Sequence, residues 1–342
     1  MVMQSIAGSG SYQYCCIDRS ILARWLSVKV APRIDACIPA NFSANQITIF
    51  AALFAIAMVS SIAFAPPRWA AGMPPFCAFL LLMYCILDHV DGYRARKTGH
   101  SSAWGEFLDH GVDSGVVSLV ALTILMCGAG QGVDALIAIF FMTSLTLATV
   151  MLWTEQYKTG QLRLPMLGPV EGIFVTVLYL LSCMFPYMNQ SLAAEMFPGI
   201  SRIEVTLLVI SAVVLGVATY RLISIPGMVR LTGPFLLLCS LLLGSVAWRP
   251  EALFLSVSVL ALSTLSHAST IIFARLTQTT LSFPHQALLI LFPMAVFGAS
   301  LLNLSISHWL WLIPGCIAVN TIRVWVAALR ILRPAYLISA TG

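Results

Sequence analysis

The chain has 342 residues, 59% of them hydrophobic and only 9% charged, with a mean hydropathy of +0.93. No water-soluble globule of this size sustains that balance, so the sequence describes an all-α polytopic membrane protein. A net charge of only +5 offers no basis for nucleic-acid binding.

Residues 1–44 are polar and mixed and form a separate N-terminal arm. Within it Ile21, Leu22, Trp25, Leu26 and Val30 fall roughly on one side of a helix, with Arg19, Arg24 and Arg33 largely elsewhere. That pattern predicts a short basic helix lying on a membrane surface and ending near Pro32, with the stem of Lys29 snorkelling out of the apolar side. An ordered arm without membrane contact is the alternative. No short basic region runs straight into an apolar core, so no cleavable signal peptide is expected, and no C-terminal retrieval or prenylation motif is expected either.

A membrane span needs roughly 20 apolar residues. On that basis residues 45–335 form one membrane domain with about ten helices, at 45–65, 73–91, 106–128, 132–153, 170–188, 203–224, 232–247, 251–274, 285–304 and 309–331. Pro and Gly clusters mark several of the connections. The nine cysteines form no CxxC pair and read as small apolar residues or free thiols rather than a disulfide frame or a zinc site.

The chemistry concentrates in residues 88–113. Asp88, Asp91, Glu106, Asp109 and Asp113 are five of the chain's thirteen acidic residues, and they lie between two apolar runs. Carboxylates at such a place are costly unless paired, hydrated or bound to a cation. On helices, Asp88 and Asp91 (i, i+3) share a face, as do Asp109 and Asp113 (i, i+4). A hairpin of the two helices brings four carboxylates to one point, where repulsion calls for one or two divalent cations. Oxygen-only ligands suit Mg²⁺, Mn²⁺ or Ca²⁺. An intervening loop with Gly92, Arg94, Arg96, Lys97 and Gly99 would meet a phosphate-rich ligand beside the metal. His110, between two aspartates, is a candidate to orient one of them, whereas His89 is expected to point away.

A second stretch, WTEQYKTGQLRLPMLGPVEG from Trp153 to Gly172, joins the fourth and fifth predicted spans. Glu155 and Glu171, the latter at a helix start, are the acidic residues of this stretch. Tyr157 and Trp153 could give a cation–π face, although interfacial aromatics are common in membrane proteins.

The spacing D-x2-D-G-x2-A-R-x8-G-x3-D-x3-D is met at each fixed position, by Asp88, Asp91, Gly92, Ala95, Arg96, Gly105, Asp109 and Asp113. This pattern resembles the signature of the CDP-alcohol phosphotransferases, membrane enzymes that cleave the pyrophosphate of a CDP-linked alcohol. The Trp153–Gly172 stretch, the TGHSSAWGEFLDHGVDS run, Tyr14, Asp18 and the ANQIT at 44–48 look more like the choline and ethanolamine phosphotransferase subfamily. The similarity covers roughly residues 12–175. One departure stands out: where the subfamily has His before Thr-Gly, this chain has Lys158, which puts the identity of the head group in doubt.

The resemblance implies a helical bundle of that family type. It also implies attack by a lipid hydroxyl, that of diacylglycerol, on the phosphorus bearing the alcohol of CDP-ethanolamine or CDP-choline, with CMP leaving. It makes Asp88, Asp91, Asp109 and Asp113 the ligands of Mg²⁺ or Mn²⁺, two ions in all, with Asp113 also the proposed general base. Gly92 and Gly105 would allow close approach of nucleotide and helix, Ala95 belongs to the same motif, and Arg96 would meet the pyrophosphate. Asn45, in the ANQIT match, is a nucleotide contact, and Glu155, Tyr157, Lys158 and Glu171 are the head-group candidates. A homodimer is implied as well.

Of the Lys and Arg residues, fifteen fall on the side of the N-terminus and three (Arg68, Arg202, Arg249) on the other. The positive-inside rule then predicts cytosolic termini and a cytosolic aspartate hairpin, in endoplasmic reticulum, Golgi or a bacterial inner membrane. Alternative readings are a CDP-diacylglycerol-dependent phosphatidyltransferase acting on a small polar alcohol, typically shorter and with fewer spans, or the same reaction with a ceramide acceptor. A transporter whose acids bind a coupling ion leaves the spacing of Gly92, Ala95, Arg96 and Gly105 without explanation.

Overall fold

The structure, a computed structural model, describes residues 2–6, 13–129, 132–281, 283–302 and 312–340. Strands β1 (Val2–Ile6) and β2 (Gln13–Asp18) open the chain, and helix α1 (Ile21–Trp25) continues through a π-helical turn (Leu26–Val30) into α2 (Ala31–Cys37). The long helices α3 (Ala44–Ala63), α4 (Met73–Thr98), α5 (Ala103–Ala129) and α6 (Ala135–Thr159) follow. Strand β3 (Leu162–Leu164) leads to α7 (Pro169–Ser182) and α8 (Pro186–Ala193), and the short strands β4 (Glu195–Phe197) and β5 (Ile200–Ser201) come next. The remainder is helical: α9 (Arg202–Ser224), α10 (Met228–Trp248), α11 (Leu253–Thr277), α12 (Phe283–Leu301) and α13 (Leu312–Ala340).

Among the described residues eight helices are long and apolar enough to cross a membrane, and the α7–α8 pair makes a ninth if counted as one span. The protein is an all-α, multi-pass membrane protein. Each of the ten expected segments carries a helix, with corrections. The fifth is not straight: α7 and α8 meet at a bend of 111°. Pro186 begins α8, and a proline both lacks an N–H and disfavours helical geometry in the residue before it. The ninth segment is α12. Its expected end and the expected start of the tenth span fall within 303–311, outside the described residues.

Two further corrections bear on the site. The second span was expected to stop near residue 91, but α4 runs to Thr98. It ends at Gly99, whose φ of 70° suits glycine, and the His100 N–H returns to the Ala95 carbonyl at 3.0 Å. Arg94, Arg96 and Lys97 are therefore on a helix, and only 99–102 remain as loop. In the same way α6 continues to Thr159, which puts Glu155, Tyr157 and Lys158 on its last turns.

The chain divides into two compact units. The first comprises residues 1–127, 160–191 and 328–342. Small residues on α3 (Ala51, Ala55) face Cys77 and Ala78 of α4, with Met58, Leu81 and Leu180 buried among them. In lipid, helices associate through such close packing rather than through a hydrophobic driving force. A three-stranded sheet in the order β1-β2-β3, with β1–β2 antiparallel and β2–β3 parallel, ties the N-terminal arm to residues 162–164. The arm's helix does not stop at Pro32, because a proline is tolerated in the first turn of α2. Leu26, expected on the membrane side, is buried, and Leu22 and Val30 pack on the same core. The outward side carries Ile21, Trp25 and Val28 with Arg24, Lys29 and Arg33.

The second unit comprises residues 128–159 and 192–327. Its helix α6 packs on α9, α10 and α11, with Ile139, Phe141, Leu238, Leu260 and Ile271 buried. α9 starts in a capping box in which Ser201 and Glu204 bond reciprocally, and Glu204 also accepts the Asp134 N–H at 2.8 Å. Polar contacts join α13 to α11, Asn320 Nδ2 donating to Ser266 Oγ at 2.9 Å and Trp325 Nε1 to Ser269 Oγ at 3.0 Å.

Candidate active site

The site lies in the first unit, where α3, α4 and α5 meet. α4 supplies Asp88 and Asp91, and α5 supplies Asp109 and Asp113. One carboxylate oxygen from each of Asp88, Asp109 and Asp113 lies within 4.8 Å of the others. Two charges at that distance repel by about 3 kcal/mol even at an effective dielectric near 20, so the cluster needs a cation or protons. Asp109 Oδ1 is buried and has no hydrogen-bond partner among the described residues, an orphaned acceptor on a member of an oxygen-only donor set. Both features fit a hard divalent cation.

Asp91 is not one of that trio. It is 4% exposed and accepts a 2.5 Å hydrogen bond from Thr48 Oγ1, one turn into α3. Asp113 accepts one from the buried Tyr84 phenol of α4 at 2.6 Å. Neither hydroxyl was singled out from the sequence. Their signals were present: Thr48 closes the ANQIT segment, and Tyr84 lies four residues before Asp88, on the same helix face.

The glycines of the motif have different neighbours. At Gly105 a Cβ would lie 3.3 Å from both Asn45 Oδ1 and Ser102 Oγ, so the bare backbone lets α3 and α5 approach there. Asn45 is thus brought beside the first turn of α5, at the α3 end that also presents Thr48. Over Gly92 the Arg96 guanidinium folds back, with Nη1 3.1 Å from where a Cβ would stand. Arg96 is exposed and Ala95 half-buried.

The other two basic residues of α4 are engaged elsewhere. Arg94, 6% exposed, makes five hydrogen bonds: Nε to Asp35 Oδ1, Nη1 to the Pro39 and Phe42 carbonyls, and Nη2 to the Asp35 and Ile38 carbonyls. A guanidinium has five N–H donors, so Arg94 is spent on the α2–α3 turn and does not face a phosphate. Lys97 Nζ pairs with Asp35 Oδ2 at 2.8 Å. Burial pushes the Asp35 carboxyl up, but the hydrogen bonds from Lys97 and Arg94 outweigh it and hold the group below the usual carboxylate range. At Asp18 burial prevails over the Ser20 N–H bond, and its carboxyl is raised.

His110 is buried, with Nε2 3.9 Å from Asp109 Oδ2 and Nδ1 3.6 Å from Glu106 Oε1. Both are ion-pair distances, longer than a hydrogen bond. His89, expected to point away, has Nδ1 2.9 Å from the Cys85 carbonyl and 3.5 Å from Asp88.

The head-group candidates divide between the units. In the first, Glu171 accepts from Ser20 Oγ at 2.5 Å, from the Leu22 N–H at 3.3 Å and from the Gly168 N–H at 2.9 Å. It caps α7 and joins the start of α1 to it. In the second, the buried Glu155 pairs with Arg221 Nη1 at 2.9 Å, Tyr157 donates to the Thr279 carbonyl at 3.3 Å, and the exposed Lys158 reaches toward Gly227, its Nζ 3.0 Å from where a Cβ would stand.

A sequence model described as CDP-alcohol phosphatidyltransferase matches residues 41–218, more than half of the chain. The chain belongs to the CDP-alcohol phosphatidyltransferase family. Its relatives include a CDP-alcohol phosphatidyltransferase class-I family protein of Dictyostelium discoideum, 35% identical over 180 residues, which are 50% of this chain and 44% of that protein. Choline/ethanolaminephosphotransferase 1 of Arabidopsis thaliana is 30% identical over 49% of this chain and 43% of its own length. Ethanolaminephosphotransferase 1 of Homo sapiens is 25% identical over 52% of this chain and 48% of its own length. The chain spans less than half the length of these relatives. Residues 88–113 lie wholly inside the matched region, so the family membership and the carboxylate cluster fall on the same residues.

Proposed function

We propose that the protein transfers phosphoethanolamine or phosphocholine from the CDP-alcohol to the hydroxyl of diacylglycerol, releasing CMP. The observation that carries this reading is the convergence of Asp88, Asp109 and Asp113 within the region that matches the family. The choice of an amino-alcohol donor is supported by relatives named for choline and ethanolamine phosphotransfer and by the Trp153–Gly172 stretch.

Bound Mg²⁺ or Mn²⁺, two ions in this reading, would neutralise the pyrophosphate and stabilise the departing CMP. Asp88, Asp91, Asp109 and Asp113 would hold the ions. Arg96, on the exposed side of α4, would meet the pyrophosphate, and Asn45 with the bare backbone of Gly105 would receive the nucleotide. Asp113 would take the proton as the lipid oxygen attacks the phosphorus bearing the alcohol. The new P–O bond forms as the bond to the CMP oxygen breaks. In this reading residues 45–335 are the catalytic membrane domain, the aspartate hairpin faces the cytosol as the charge asymmetry predicts, and the chain works as a homodimer.

The test is the lipid product. Purified protein in mixed micelles with Mg²⁺ or Mn²⁺ receives labelled CDP-ethanolamine or CDP-choline with diacylglycerol, and in parallel CDP-diacylglycerol with inositol, serine or glycerol phosphate. Labelled phosphatidylethanolamine or phosphatidylcholine is the expected product. Label in lipid only from CDP-diacylglycerol overturns the donor assignment, and a requirement for ceramide overturns the acceptor.

A further inference from the structure

We propose that Tyr84 is a positioning residue for Asp113, a role that rests on the phosphotransfer reading and deepens it. Tyr84 lies on α4 one turn before Asp88, and the residue is 4% exposed. Its phenol reaches across to α5 and donates to Asp113 Oδ1 at 2.6 Å. That is the length of a charge-assisted O–H···O⁻ bond, about 2.5–2.7 Å and roughly twice as strong as a neutral one.

The reaction makes two demands on Asp113, which must face the cation and also accept the proton of the lipid hydroxyl. One carboxylate meets both only if its two oxygens are kept distinct and its rotamer is held. Tyr84 does this: its hydrogen bond falls on Oδ1 and fixes the plane of the group. Thr48 makes the matching contact to Asp91, so α4 and α3 each aim a hydroxyl at one aspartate. The bond to Asp113 is the one hydrogen bond of the Tyr84 phenol among the described residues. Its ring packs in the apolar cluster with Leu81, Cys85 and Val116, where a phenylalanine would serve equally well for packing.

Tyr84→Phe removes a single oxygen from a packed ring and is therefore the decisive variant. Full-length protein in detergent is titrated with Mn²⁺ while the electron paramagnetic resonance of the free ion is followed, a readout that needs no turnover. Loss of an outer partner of a metal ligand typically weakens metal binding or activity by about 10–100-fold, and that loss is expected for Mn²⁺ affinity and for kcat. A merely structural hydroxyl would instead lower the melting midpoint and leave Mn²⁺ affinity alone. The same change in an Asp113→Asn background supplies the second arm. Because Tyr84 acts through Asp113, the double variant binds Mn²⁺ no more weakly than Asp113→Asn alone.

Mn²⁺ affinity within twofold of wild type in folded Tyr84→Phe protein overturns the proposal, as does an equal further loss in the Asp113→Asn background. The outcomes separate this role from the reaction it serves. If no CDP-alcohol yields CMP but Tyr84→Phe weakens Mn²⁺ binding, the positioning stands and the substrate assignment falls. If the wild type turns over and Mn²⁺ affinity ignores Tyr84, the reaction stands and the positioning falls.

Discussion

Replacing Arg94 with methionine tests whether the guanidinium holds the α2–α3 turn. The substitution keeps much of the stem volume and removes all five donors. The carboxylate of Asp35, whose side chain is 1% exposed, keeps Lys97. The Ile38 and Phe42 carbonyls lose the guanidinium donor, while those of Asp35 and Pro39 keep only the backbone N–H of Ile38 and Phe42. Breaking a buried ion pair by removing one partner costs about 3–5 kcal/mol. The turn borders solvent, since Pro39 and Ala40 are exposed, and water can reach some of these carbonyls, so the lower figure, about 3 kcal/mol, applies. At roughly 2–4 °C per kcal/mol for a chain of this order of size, the thermal midpoint in detergent should fall by about 6–12 °C. The turn leads into Ser43, which caps α3 in a reciprocal box with Gln46, and from there to Asn45 and Thr48. The KM for the CDP-linked donor should therefore rise more than kcat falls. Arg94→Lys, with three donors in place of five, should lie between the two. A midpoint within about 2 °C of wild type for Arg94→Met, at unchanged KM, would refute the argument.

Other outcomes follow from the same contacts. Asp35 is held below its usual value of 3.8, so its contribution to stability is complete above that pH and fades as the pH falls through the depressed value. The acid limb of a stability profile should be shallower in Asp35→Asn, measured by unfolding midpoints from pH 6 downward. Thr48→Val should release Asp91 and reduce turnover by about 10–100-fold with little change in the melting midpoint; full activity would show that Asp91 needs no hydroxyl. Gly244→Ala in the second unit would place a methyl 2.8 Å from the Phe297 ring. Overpacking of that kind costs about 1–3 kcal/mol, and the loss should appear in thermal unfolding and be relieved by Phe297→Leu.

Much of the molecule was legible in the chain because the signals were local. Apolar runs bounded by Pro and Gly gave the helices, and the spacing of Asp88, Asp109 and Asp113 put their carboxylates on facing sides of two helices. What was missed depends on partners distant in sequence. Arg94 looked like a phosphate ligand because it stands beside Arg96, yet its partner Asp35 is in the N-terminal arm. Hydropathy ended α4 and α6 too early, since charged residues lower an apolar score without breaking a helix. The real stops are Gly99 and Gly160, both at positive φ. Strands β2 and β3 are short and meet only in three dimensions. The 111° bend between α7 and α8 was marked by Pro186, which could equally have closed a straight span.

The most direct test of the account is CMP release from CDP-ethanolamine and CDP-choline, measured side by side for wild type and for Asp88→Ala, Asp109→Ala and Asp113→Ala, with diacylglycerol present and Mg²⁺ or Mn²⁺ added or chelated. The account predicts diacylglycerol-dependent CMP in the wild type, abolished by chelation and by each substitution in protein that remains folded. CMP release that survives in Asp109→Ala or Asp113→Ala would contradict it, because the chemistry would then lie outside the carboxylate cluster.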